Sequence, residues 1–154
     1  MSRRGSHPAA AAVVTLTGVV IVAMDWVPTA LNRNIVHVDA AQRLPGTLVH
    51  GVACASAGLV LLRGPRWAQR VVPVWFGVVL TSAALNWWVP YVTGRYPGEI
   101  SPEVFAREYA GNLRVLPTWP GHPVVPDVQH SLIHGLVLAS LVTSARAAFR
   151  RVRP

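Results

Sequence analysis

The sequence predicts an all-α, polytopic membrane protein: a bundle of four transmembrane helices with a structured external loop. Three observations carry that prediction. Of 154 residues 52% are hydrophobic and only 13% charged, with a mean hydropathy of +0.39, where a soluble domain carries about 25% charge. Four apolar runs, about residues 9–27, 47–62, 71–91 and 128–145, punctuate the chain. The arginines collect between those runs.

Crossing a hydrocarbon core of about 30 Å takes roughly 20 apolar residues in a helix. Unpaired backbone groups are not tolerated in hydrocarbon, so the runs read as helices and not as strands. The second and fourth runs are short and lean on their flanks. The opening "MSRRGSHPAAAAVV" has the look of a secretory signal, but "IVAMDWVP" offers no small-x-small cleavage site, so it reads as an uncleaved first span. The whole of 1–154 reads as a single transmembrane domain.

Net charge is +8, and all 14 basic residues are arginine. They form short clusters with no basic stripe, which argues against nucleic acid and for topology signals. With a cytoplasmic N-terminus, nine fall inside (Arg3, Arg4, Arg63, Arg66, Arg70, Arg146, Arg150, Arg151, Arg153) and five outside, beside all six acids. The positive-inside rule then places a multi-pass protein in the cell (plasma) membrane with both termini cytoplasmic. Cys54 is the only cysteine, which excludes intramolecular disulfides and cysteine-cage metal sites.

Polar residues recur at one membrane level near the outer surface. Asp25 ends the first run, His50 opens the second, Asn86, Trp87 and Trp88 lie late in the third, and His130 and His134 open the fourth in "VQHSLIHGLVLASLV". Residues four apart share a helix face, which pairs His130 with His134 and Ser82 with Asn86. Ionisable groups inside a membrane are costly and mark functional candidates. The expected catalytic set is therefore His50, His130, His134, Asp25 and Asn86, around an outward-opening pocket. The plainer reading puts these histidines in the wet interface, Asp25 on a helix end, and Trp87 and Trp88 in an aromatic belt. Asp127 reads as an N-cap. Ser131 beside His130 points elsewhere on its helix and is no nucleophile pair.

Small residues in "GVACASAG", 51 to 58, invite close helix approach. Pro28, Pro73 and Pro90 are placed where they mark helix ends. Asp25 is the only acid in the spans and they hold no arginine, which excludes a voltage sensor or a charge relay.

Residues 94–127 form the external loop. Ser101, Pro102 and Glu103 in "SPEVFAREYAGN" are an N-cap, first-turn proline and dipole-matched acid, predicting a short helix over about 102–111. Phe105 and Tyr109 fall on one face of it, toward the membrane or over the pocket. Trp87, Trp88, Tyr91, Phe105 and Tyr109 are the expected substrate-binding aromatics. "LPTWPGHPVVPD" packs four prolines into twelve residues, a stiff strap. The segment reads as a lid or as a rigid spacer.

"LNWWVPYVTG", "EYAGN", "VLP" and "HPVVPDVQHSLIH", together about residues 85 to 135, resemble a pattern in small uncharacterised bacterial four-helix integral membrane proteins. The resemblance implies this architecture in a bacterial inner membrane, and no activity.

Three function classes follow. The first is a membrane-embedded enzyme doing acid-base chemistry on a small or lipid-soluble substrate, for which imidazole has a suitable pKa. The second is a metal or haem protein, with His130 and His134 at i, i+4 and His50 and Asp25 completing a ligand set, or with His50 and a fourth-span histidine bracketing haem. The third is a non-catalytic binding or transport accessory subunit. Alternating access in four short helices calls for a homo-oligomer, and the sequence has no internal repeat of the carrier kind.

Overall fold

The computed structural model describes residues 6–149. Arg3, Arg4, Arg150, Arg151 and Arg153 of the charge argument lie outside the described residues. Helix α1 spans Pro8–Trp26, with proline in its first turn, where the missing N–H costs nothing. A short 3-10 turn at Arg33–His37 leads to α2, Ala40–Arg63, and two residues later to α3, Arg66–Ala83. A π turn at Ala84–Trp88 joins α3 to α4, Val89–Thr93. Helix α5 is Pro102–Glu108 and α6 is Val128–Phe149. Four runs, Pro8–Trp26, Ala40–Arg63, Arg66–Thr93 and Val128–Phe149, are long and apolar enough to cross a membrane.

The second and third helices start earlier than hydropathy alone places them. Asp39 caps α2 by accepting from the Ala41 N–H at 3.1 Å, so a polar first turn precedes the apolar run. Pro73 and Pro90 lie within the third run and do not end it. In a regular helix the Pro90 ring would strike the carbonyl four residues back. The wider π turn directly ahead accommodates it, and such turns recur at functional sites. Gly94 then ends α4 in the left-handed region at φ 66°, a cap that favours glycine.

Helix α1 packs against both α2 and α6, and α6 packs against α3. Helices α2 and α3 barely touch, although only Gly64 and Pro65 separate them. Val14, Leu61, Phe76 and Val137 fill the centre. The buried Thr17 and Ser140 hydroxyls bond at 2.8 Å across α1 and α6. Small residues let α1 and α2 close up: a Cβ on Gly18 would sit 2.6 Å from Cys54 Cβ, and one on Gly58 2.7 Å from Thr15 Oγ1. Where lipid tails are as apolar as leucine, such close backbone packing is the main attraction between helices.

Gly18→Ala is expected to destabilise the bundle by about 1–3 kcal/mol through overpacking. Gly77, whose Cβ would meet nothing within 4 Å, is expected to respond oppositely. Gly77→Ala gains roughly 0.5–1 kcal/mol of helix propensity. Thermal unfolding of both variants in detergent checks the pair of signs.

Candidate active site

The site begins at the head of α6. Asp127 is fully buried, and a bare carboxylate there is expensive unless donors surround it. Its Oδ1 accepts from the His130 backbone N–H at 2.7 Å and from His130 Nδ1 at 2.8 Å. Its Oδ2 accepts from Asn112 Nδ2 at 2.7 Å. Burial alone pushes this carboxyl up, but the His130 bonds and charge and the Asn112 amide outweigh it and hold Asp127 below the usual carboxylate range. Asp127 is thus an N-cap and also the partner of an imidazole. The D-x-x-H spacing sets the histidine at the third helical position, where a capping side chain reaches it, as in a capping box.

Those bonds fix the proton on His130. A carboxylate only accepts, so Nδ1 carries hydrogen, and whenever the ring is neutral Nε2 is the nitrogen left with a lone pair. Trp87 stacks on the ring at 3.9 Å between centroids, 28° from parallel. Tyr109 meets both rings edge-on. Burial first, then the carboxylates of Glu108, Asp127 and Glu99, push the Tyr109 phenol up to about 12, so it stays a neutral hydroxyl.

His134 has the opposite tautomer. Trp88 Nε1 donates to its Nδ1 at 3.0 Å, and an indole N–H can only donate. The neutral ring therefore carries its hydrogen on Nε2. The two imidazoles, 5.9 Å apart, leave one acceptor nitrogen and one donor nitrogen.

Both rings line a cavity of about 440 Å³. Asp25, His50, Asn86 and Trp87 line it too, and Ile21, Val78, Val79, Ile133 and Val137 give it an apolar wall. His50 Nδ1 donates to the Gly46 carbonyl at 3.2 Å, and Asp25 Oδ2 accepts from the Thr47 hydroxyl at 2.6 Å. Asn86 reaches the cavity with its amide engaged: Nδ2 donates to the Ser82 carbonyl at 2.9 Å and Oδ1 accepts from the Glu99 N–H at 2.6 Å. These bonds fasten the external segment to the π turn.

Four of the expected substrate-binding aromatics, Trp88, Tyr91, Phe105 and Tyr109, do not line this cavity, and Tyr109 lines the smaller one described below. Trp88 orients His134. Tyr91 bonds the strap, its hydroxyl donating to the Pro117 carbonyl at 3.2 Å and accepting from Trp119 Nε1 at 2.9 Å. Phe105 is buried edge-on against Trp87. Helix α5 therefore turns its aromatic face inward onto the bundle, because Trp87, Val124 and Val125 offer it an apolar surface. The ligand set expected from His50, His130, His134 and Asp25 is likewise not assembled. Among the described residues no three His, Cys, Asp or Glu side chains are grouped to hold a metal ion, and Asp127 and Trp88 already occupy the Nδ1 atoms of His130 and His134.

A second, smaller cavity of about 150 Å³ also reaches His130. Asn34, Arg43, Tyr109 and Gln129 line it, and sequence reasoning singled out only the tyrosine. Asn34 Oδ1, Arg43 Nε and Gln129 Oε1 are buried polar atoms without a protein partner, so its lining favours a polar occupant.

No family model, curated protein or solved structure matches this chain.

A depressed carboxyl stabilises the fold above its unfolded pKa, about 3.9 for aspartate, and that contribution disappears as pH falls through the lower folded value. Asp127→Asn is therefore expected to melt lower than the wild type near neutral pH. The gap should narrow once pH drops below the usual carboxylate range. Melting curves of both proteins across that range measure the effect.

Proposed function

We propose that this chain is a membrane-embedded enzyme that performs acid-base chemistry on a small or lipid-soluble substrate held in the 440 Å³ cavity. The observation that carries the reading is the buried Asp127–His130 hydrogen bond of 2.8 Å, set beside a second imidazole of opposite tautomer. In this reading His130 Nε2 is the general base. Asp127 holds the ring in that tautomer and balances the imidazolium that forms when the base takes a proton. His134 Nε2–H donates to the oxygen on which negative charge develops or returns a proton to the leaving group. His50 and Asp25 supply further polar contacts, and the aliphatic wall takes the apolar part of the substrate. Trp87 excludes water from one face of the base.

The arginines favour a cytoplasmic placement of the end bearing Arg63, Arg66, Arg70 and Arg146. The cavity then opens near the extracytoplasmic surface of a cell membrane, both termini are cytoplasmic, and the loop with α5 covers the site. A bacterial inner membrane suits the resemblance stated above.

Loss of a positioned general base usually lowers a rate by about 10²–10⁴-fold. His130→Ala and His134→Ala are expected to abolish turnover while the protein still accumulates in the membrane. The test compares lipid and small-molecule extracts of membranes containing equal amounts of wild type or variant, incubated in deuterated water. A species formed or isotopically labelled only with the wild type supports the reading. Identical extracts from wild type and His130→Ala at equal protein contradict it.

A further inference from the structure

The seam between α2 and α3 is unusual. Consecutive helices joined by so short a turn normally pack as antiparallel neighbours, yet these two diverge onto α1 and α6 and leave a cleft between them. Near the arginine-bearing turn the cleft holds an apolar cavity of about 310 Å³, lined by Ala53, Val60, Trp67, Val72 and Trp75 among others. On both helices its lining stops three residues short of the polar cavity, at Ala53 against His50 and at Trp75 against Val78. Three residues are less than one turn, about 4.5 Å.

The linings also share a face. On α2 they run through Gly46, His50, Ala53, Ala57 and Val60, spacings of four, three, four and three that trace one side of a helix. The α3 wall repeats the pattern from Trp67 to Asn86. The two cavities thus lie end to end along the α2–α3 seam, the one polar beside His50, Asp25 and the α6 imidazoles, the other apolar. Along α2 they extend together about 21 Å, deeper than one leaflet of a core about 30 Å thick.

We infer that the substrate is an amphiphilic lipid with a compact polar head and one long apolar chain, which enters sideways between α2 and α3. The inference rests on the function proposed above and supplies its substrate class. The head lies in the polar cavity against His130 and His134, and the chain lies along the α2–α3 seam. The occupant is a chain and not a helix, since both volumes fall in the range of small-molecule sites. A helix about 10 Å across lying along 21 Å needs about twice the two volumes together. The seam reaches a membrane interior directly, so a lipid-soluble molecule arrives without passing through water.

The test uses the full chain in phosphatidylcholine nanodiscs and, as probe, hexadecanol carrying a diazirine at the end of its tail. Photolabelling is expected to saturate, to fall on cleft-lining peptides of α2 and α3, and to be competed by unlabelled hexadecanol but not by butanol. Ala53→Phe on α2 and Ala68→Phe on α3, both at residues lining the apolar cavity, each fill the cleft and are expected to raise the half-saturating concentration about tenfold, the loss of roughly two buried methylenes. Val52→Phe, on the exposed face of α2, leaves it unchanged and controls for folding. Unsaturable label spread over exposed faces overturns the inference, as does cross-linking of two copies through this seam. His130→Ala keeps the label in the cleft, so retained labelling with no chemistry in the wild type counts against the enzyme reading alone, and diffuse labelling counts against the cleft alone.

Discussion

The carboxylate of Asp127 is buried at the head of α6, and everything around it is arranged so that it can stay charged there. Asn112 reaches back from the end of the α5 segment to one oxygen, and His130 covers the other with both backbone and ring. The Val128 N–H donating to the Leu113 carbonyl at 2.9 Å closes the same junction. One anion therefore ties the external segment to the bundle, starts α6 and sets the tautomer of an imidazole. Removing it would leave three donors, the Asn112 amide and the backbone and ring N–H of His130, without their acceptor, a cost of several kcal/mol by the usual asymmetry of buried hydrogen bonds.

The second constraint comes from the third membrane run. Pro90 cannot sit in a regular helix without displacing a carbonyl, and the π turn that relieves it carries Asn86, Trp87 and Trp88. Through that turn two adjacent tryptophans both reach α6, one stacking on His130 and the other donating to His134. The strap from Leu116 to Asp127 adds a rigid support, with its own Val124 and Val125 fully buried. His122 Nδ1 bonds the Tyr91 carbonyl at 2.8 Å, holding the strap to the end of α4. Stiff backbone and interlocked aromatics are what a preorganised acid-base site requires, because a misplaced donor loses most of its effect.

Much of the fold was legible in the sequence. Apolar run length and the near-absence of charge in the runs, Asp25 apart, give the four helices, and the Ser101–Pro102–Glu103 start gives α5, where the Ser101 hydroxyl accepts from the Val104 N–H at 3.3 Å. Helix starts were less legible, because Asp39 and Pro65 begin helices in polar sequence that hydropathy ignores. That Asp25, His50, Asn86, His130 and His134 meet at one end of the bundle follows from counting residues along helices that alternate in direction. Their individual bonds do not follow, since hydropathy says nothing about which ring nitrogen meets which partner. Asp127 was visible only as a cap, for the reach of its second bond depends on the rotamer of His130. Arg43, Gln129 and Asn112 carry no pattern at all and become neighbours only through the loop path. The openness of the α2–α3 seam was likewise hidden, because small residues in "GVACASAG" announce close packing without saying which helix does the packing.

The proposed chemistry turns on the proton positions of two rings, and nitrogen-15 spectroscopy of histidine-labelled protein in lipid reads them directly. His130→Ala and His134→Ala samples assign the signals. The expected result at neutral pH is a protonated Nδ1 with a bare Nε2 on His130 and the reverse arrangement on His134. A His130 ring carrying its hydrogen on Nε2 alone, or two rings averaging between tautomers as free imidazole does, would contradict the Asp127-oriented base on which the proposed chemistry stands.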